Sequence, residues 1–313
     1  MSTFETVHEP LEARDVLLGR TTHVRRVLPN KIRRMIGAWC FLDHYGPDDI
    51  KAGGMWVPPH PHTGLQTVTW LFEGLGHHTD SLGSSQLIRP GQLNVMTAGH
   101  GICHAEVSPP DAPQFLHGVQ LWVCLPSPER DTTPPAFDHL ADLPTRSAGG
   151  ATLKVFVGSL DGLVSEAPTF TPLVGAEIAF EPGARLTLPL DDTFEYGVLA
   201  VSADLVVDGS TTSKHQMSYL GCGRSQLTIE APEGGIAILL GGTPFEEEIV
   251  MWWNFIGRSH EEIVEQREAW NEGGFEGRPE RFGTVEGFPE NRLLAPPLPT
   301  TRLKARGRAS SGA

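Results

Sequence analysis

Apolar positions along this chain of 313 residues come in short runs, cut repeatedly by the 35 glycines and 26 prolines. Turn signals recur roughly every ten residues, the spacing of an all-β sandwich or barrel. The segments Thr67–Phe72, Gln92–Met96, Val119–Leu125, Leu153–Val157, Gly197–Val201, Gln226–Glu230 and Gly235–Leu240 read as strands. Alternation is imperfect in QTVTWLF and GIAILLG, as expected of strands covered on both faces. One helix stands out near the end. Ser259 and Glu262 have capping-box spacing, good helix formers continue to Trp270, and Gly273-Gly274 stops the run. Its apolar residues Ile263, Val264 and Trp270 are expected to pack on the β body or on the aromatic run Trp252-Trp253-Asn254-Phe255.

Residues 126–150 are rich in proline, charge and small side chains, and they separate two halves with the same β grammar. This places an N-terminal domain over 1–135 and a C-terminal domain over 136–295. From Pro296 the chain turns to proline, arginine, serine and glycine, a composition that buries too little apolar surface to order itself, so 296–313 is expected to be a flexible tail.

Composition narrows the function classes. The formal net charge is −14 although Arg302, Lys304, Arg306 and Arg308 crowd the tail, so the body is more acidic still. Such a body repels polyphosphate, which argues against direct nucleic-acid binding. The N-terminus lacks a basic start followed by an apolar stretch, and no segment approaches the length of a membrane span. Cys40, Cys103, Cys124 and Cys222 show no C-x-x-C spacing and sit among apolar neighbours, which fits reduced core thiols. A soluble cytoplasmic protein is the expectation.

Candidate chemistry is confined to the first half. Of 13 histidines, His60, His62, His77, His78, His100, His104 and His117 fall between residues 60 and 117. Two doublets stand out, His60-Pro61-His62 and His104-Ala105-Glu106. On a strand, residues i and i+2 share a face about 6.6 Å apart, so two facing strands can converge four ligands on one ion. Imidazoles with a carboxylate suit Fe(II), Mn(II), Ni(II), Cu(II) or Zn(II). A tetrahedral zinc would close such a site, whereas a six-coordinate ion leaves two positions for substrate and O2 or water. Gly64, Gly99 and Gly101 allow close backbone approach, and Trp56, Val57, Trp70 and Phe72 offer apolar bulk that could exclude water. His77-His78, after Gly74-Leu75-Gly76, reads as a solvent-exposed turn, His100 divides evenly between the site's margin and the surface, and His117 reads as a hydrogen-bonded core residue. In the second half His139, His215 and His260 are isolated, so no equivalent cage is expected there.

At these residues the chain resembles the pirins, double-cupin proteins of the cupin superfamily. The matching stretches are FLDHYGP from Phe41, PHPHTG from Pro59, Pro90-Gly91 with MTAGHGICHAE from Met96, and HGVQLW from His117, spanning much of 40–125. IVMWWNFI from Ile249 and Arg258-Ser259-His260 also resemble the family. The resemblance implies two tandem cupin (jelly-roll) β-barrel domains with a short C-terminal helix, and one metal, usually iron, held in the first barrel by His60, His62, His104 and Glu106. Two positions depart from cupin habit: Gln66 and Gln92 stand where acids often follow the histidine doublet and the Pro-Gly turn, which is expected to lower the negative charge near the metal.

Some pirins resemble quercetin 2,3-dioxygenases, which implies opening of a flavonol's heterocyclic ring with O2 and release of carbon monoxide. A small aromatic substrate and O2 are then the partners, and Glu106 is the catalytic base for the 3-hydroxyl. The family implies an alternative as well: a metal- or redox-responsive protein that regulates a transcription factor or a metabolic enzyme by binding it.

Overall fold

The computed structural model describes residues 7–18, 22–49, 55–288 and 291–309. Its strands build two double-sheet units of one plan. In the N-terminal unit a seven-stranded sheet has the order Ala136–Leu140, Leu93–Thr97, Leu65–Glu73, Phe115–Cys124, Trp39–Asp49, Thr22–Leu28, Arg14–Leu18. Opposite it lies a four-stranded sheet, Trp56–His62, Ile102–Val107, Gly76–Asp80, Ser85–Ile88. The C-terminal unit repeats this with His8–Leu11, Met217–Leu220, Glu195–Ala200, Gly235–Gly242, Leu173–Phe180, Ala151–Leu160 and Thr145–Ala148 in its large sheet. Its small sheet holds Ala184–Pro189, Gln226–Ala231, Leu205–Val207 and Ser210–Thr212. These are two tandem cupin barrels.

The imperfect alternation of QTVTWLF has a direct cause. Strand Leu65–Glu73 sends Thr69 and Leu71 into its own barrel, where Thr69 meets Glu106 and Leu71 packs with Tyr45 and Ile88. Its even positions face the other unit: Trp70 stacks on Phe156 with centroids 4.8 Å apart, and Gln66 donates to Pro168 O. The two large sheets thus share one apolar core that includes Trp39, Trp70, Phe156, Leu199, Met217 and Ile238.

Sheet membership changes hands later than position 135. Ala136–Leu140 pairs with Leu93–Thr97 of the N-terminal sheet, and Thr145–Ala148 is the first of the later strands to join the C-terminal one. The termini also cross over, since His8–Leu11 pairs with Met217–Leu220. Composition does not foresee the fate of the tail, whose described part, to Ala309, is tied down. Arg306 bridges Ile249, Ala309 bridges Arg33, and Arg308 reaches the buried Glu195 carboxylate at 2.8 Å. Backbone pairing and ion pairs hold it, and Leu298, Leu303 and Ala305 pack against the apolar cluster of Val250, Phe255 and Trp270. Residues 310–313 lie outside the described residues.

The expected helix runs His260–Asn271, with the Ser259 side chain accepting from Glu262 N. Glu262 does not close the box on Ser259; its carboxylate accepts from Arg258 N and pairs with Arg130. Ile263 and Trp270 are buried in a cluster with Val250, Phe255 and Phe282. Among the described residues no helix is long and apolar enough to cross a membrane.

Candidate metal centre

Both histidine doublets lie on strands, and register brings them together. His60 stands opposite His104, which on its other side stands opposite Asp80; Glu106 stands opposite His78. Directly paired residues of antiparallel strands project to one face within about 5 Å of each other. The Trp56–His62 strand carries a bulge where its partner passes from His104 to Glu106, so Glu106 pairs with Val57. Such an extra residue locally bends and twists the strand that carries it.

Two overlapping ligand sets result. One nitrogen each from His60, His62 and His104 lie mutually within 4.8 Å, and so do single ligand atoms of His78, His104 and Glu106. His104 belongs to both. Ring centroids are 4.3 Å apart for His60 and His104, 5.0 Å for His62 and His104, and 5.1 Å for His60 and His62. The sequence-derived quartet is thus assembled as a tight histidine trio, with Glu106 grouped with His104 and His78 rather than with His60 and His62. Among the described residues every such group lies in the N-terminal barrel.

The donor atoms suit a cation. His60 Nδ1 lies 2.9 Å from Pro58 O, so it carries the proton and leaves Nε2 as a bare donor. His104 Nε2 is buried with no hydrogen-bond partner, an arrangement that is costly for a polar atom unless something binds it. Burial lowers the pKa of His60 to about 4 and those of His62 and His104 well below the ordinary histidine value. All three are therefore neutral, the ligating form. Burial pushes the Glu106 carboxyl above the usual carboxylate value, opposed by the hydrogen bond from Thr69. A divalent ion would answer both the unpartnered imidazole nitrogen and the buried carboxylate.

Several expectations change at this point. His78 is buried at 2 % exposure rather than in an exposed turn, and its ring stacks on Phe137 with centroids 4.2 Å apart. The reason is the strand Gly76–Asp80, in which His78 and Asp80 repeat the i, i+2 spacing of the recognised doublets. Trp70 and Phe72 do not wall the site, because they lie on the outward face of their strand; Phe72 sits against His117. Trp56 is 48 % exposed and packs beside Phe288. The aromatic wall comes instead from Trp122, edge-on to His62 at 5.2 Å, with Phe41 stacked on it at 4.1 Å. Gln66 faces the second barrel, so an acid missing there takes no charge from the metal's surroundings. His117 is a core residue whose Nε2 lies 2.8 Å from that of His44, and His100 is an exposed turn residue whose carbonyl accepts from Arg281. Gly64 has φ +70°, and a Cβ there would collide with Ile256 O, so the turn after His62 is pressed against the C-terminal segment.

Fold and site together define a double cupin with a histidine-rich centre in its first barrel. The Pirin family matches residues 21–123 and the pirin C-terminal cupin domain matches residues 175–276, and the chain belongs to the pirin family. A Pseudomonas aeruginosa protein named "Putative quercetin 2,3-dioxygenase" is 45% identical over 94% of this chain and 92% of its own length. Human Pirin is 32% identical, covering 69% of this chain and 77% of its own. The crystal structure of quercetin 2,3-dioxygenase from Acinetobacter baumannii superposes with a TM-score of 0.89 at 41% identity, covering 95% of this chain and 97% of that one.

Proposed function

We propose that this chain is a metal-dependent dioxygenase that opens the heterocyclic ring of flavonols such as quercetin, consuming one O2 and releasing one carbon monoxide. The observation that carries this reading is the buried trio His60, His62 and His104, with His104 Nε2 unpartnered and the Glu106 carboxylate beside it. The names of the Pseudomonas aeruginosa relative and of the Acinetobacter baumannii structure point to the same substrate class. In this reading His60, His62, His104 and Glu106 hold one divalent ion, Fe(II), from a donor set that also accepts Mn, Ni, Cu or Zn. Such an ion supplies Lewis acidity toward the flavonol oxygens and a meeting point for O2.

The protein's share is positioning and proton transfer. The imidazoles remain neutral because they are buried, so they present lone pairs without competition from protons. Glu106 accepts the proton of the flavonol 3-hydroxyl, a role suited to a carboxyl whose pKa is raised by burial. Trp122 and Phe41 give the flat substrate an aromatic wall next to His62 and help to exclude water.

The test is oxygen-dependent bleaching of quercetin with carbon monoxide release by iron-loaded protein, abolished by His62→Ala. A fully loaded wild-type protein that turns over no flavonol would refute the proposal.

A further inference from the structure

Behind His104 lies a pair of residues that the proposed reaction does not use. His78 Nε2 is 3.1 Å from Asp80 Oδ2, and His78 Nδ1 is 3.3 Å from His104 Nδ1. Asp80 Oδ1 is already committed, accepting from Leu82 N at 2.9 Å and from Ser84 N at 3.0 Å. All three side chains are buried, and Phe137 lies nearly parallel to the His78 ring, at 12°, limiting its rotation.

We propose that Asp80 and His78 are positioning residues: a two-step hydrogen-bond relay that fixes the tautomer of His104 and turns its Nε2 lone pair toward the metal. The inference rests on the metal-centre reading above but not on the identity of the reaction. Its logic is a chain of single protons. An ionised carboxylate only accepts, so the proton between Asp80 and His78 sits on His78 Nε2. With His78 neutral, its single N–H is spent on Asp80, which leaves Nδ1 bare. The proton between the two rings is therefore on His104 Nδ1, and Nε2 keeps its lone pair. That Nε2 is the buried atom without a partner. Outer residues of this kind commonly orient metal-bound histidines. Here the carboxylate acts through a second histidine instead of directly.

The relay makes a sharp prediction for Asp80→Asn. Two backbone N–H groups hold an oxygen at the Oδ1 position, so the amide nitrogen must occupy the Oδ2 position and donate to His78 Nε2. His78 then carries its proton on Nδ1 and donates to His104 Nδ1, and His104 is forced to protonate Nε2. The size of the side chain is unchanged while the direction of the relay is reversed.

The experiment uses the full chain with Zn(II) as a redox-silent probe, in competition with a chromogenic chelator, together with histidine 15N spectra of metal-free protein. Wild type is expected to show His104 protonated on Nδ1. Asp80→Asn is expected to show it protonated on Nε2 and to bind Zn(II) about 10- to 100-fold more weakly. A packing role alone would weaken binding without exchanging the tautomer. Wild-type His104 protonated on Nε2 overturns the inference, and this spectrum decides the matter even if the variant does not fold. So does an Asp80→Asn protein that binds Zn(II) as tightly as wild type. A wild type with the expected tautomer and tight Zn(II) binding, but no flavonol turnover, removes the dioxygenase reading and leaves the relay standing.

Discussion

Thr69 Oγ1 lies 3.1 Å from Glu106 Oε1 and 3.0 Å from Gln120 Oε1, although a hydroxyl has one proton to give. Gln120 Nε2 is meanwhile buried without a partner. Turning the Gln120 amide over satisfies both: its nitrogen donates to Thr69, and Thr69 donates to Glu106. The carboxylate is thereby held from behind by a donor chain that opposes the effect of burial on its pKa.

Thr69→Val keeps the shape and removes the donor. Stability is expected to fall by about 1–2 kcal/mol, because Glu106 and Gln120 each lose a buried partner. Metal affinity is expected to drop about tenfold, as for other residues that hold a ligand in place. Urea titration of the metal-free protein and chelator competition measure the two effects separately, and unchanged values for both would show that Thr69 does not support Glu106.

Between the units, His44 and His117 share a hydrogen bond of 2.8 Å, and the His215 ring of the second barrel lies 5.1 Å from that of His44. Burial is the main cause that brings His44 to about 2 and His117 and His215 to about 4, with Arg25 and Lys214 adding to the effect and Asp15 opposing it at His215. A depressed folded-state pKa means that the unfolded chain binds more protons between about pH 6.5 and pH 4. The stability from this cluster is therefore complete above pH 6.5 and is lost as the pH falls toward 4. His117→Gln is expected to reduce the loss between pH 7 and pH 5 by about 2 kcal/mol. Urea midpoints of both proteins at the two pH values give the difference; an unchanged pH slope would mean that His117 titrates normally in the folded state.

Glu195 is fully buried and accepts from Gly37 N at 2.8 Å, Tyr219 Oη at 2.6 Å and Arg308 at 2.8 Å. Arg308→Ala removes the cation and leaves a buried carboxylate with two neutral donors. The expected cost is about 2 kcal/mol, short of the full penalty for an orphaned ion because those donors remain. Limited proteolysis is expected to release the segment after Lys304 faster in the variant, and equal cleavage rates would contradict the anchoring role.

How much of this was legible beforehand depended on the range of the interaction. Strand positions such as Leu153–Val157 and Gln226–Glu230 fall within the observed Ala151–Leu160 and Gln226–Ala231, because β-branched runs between turn residues state their conformation locally. The helix start at Ser259 was equally legible, its cap being a bond between residues three apart. The burial of His78 is not legible for the same reason in reverse. A short polar segment after Gly74-Leu75-Gly76 carries no local sign that strand Ile102–Val107 will lie beside it.

By itself the sequence determined an all-β body of two similar halves and the two doublets that carry most of the candidate ligands, because period-two spacing already places His60 with His62 and His104 with Glu106 on one face of a strand. Tertiary structure alone decided which neighbours those ligands have. Register set Asp80 and His78 beside His104, and grouped Glu106 with His78 and His104 rather than with His60 and His62. The outward turn of Trp70 and Gln66 gave the wall to Phe41 and Trp122, and Arg308 found Glu195 across 113 residues. Such contacts are fixed by strand pairing and by burial against distant segments, and neither is written in the residues next to them along the chain.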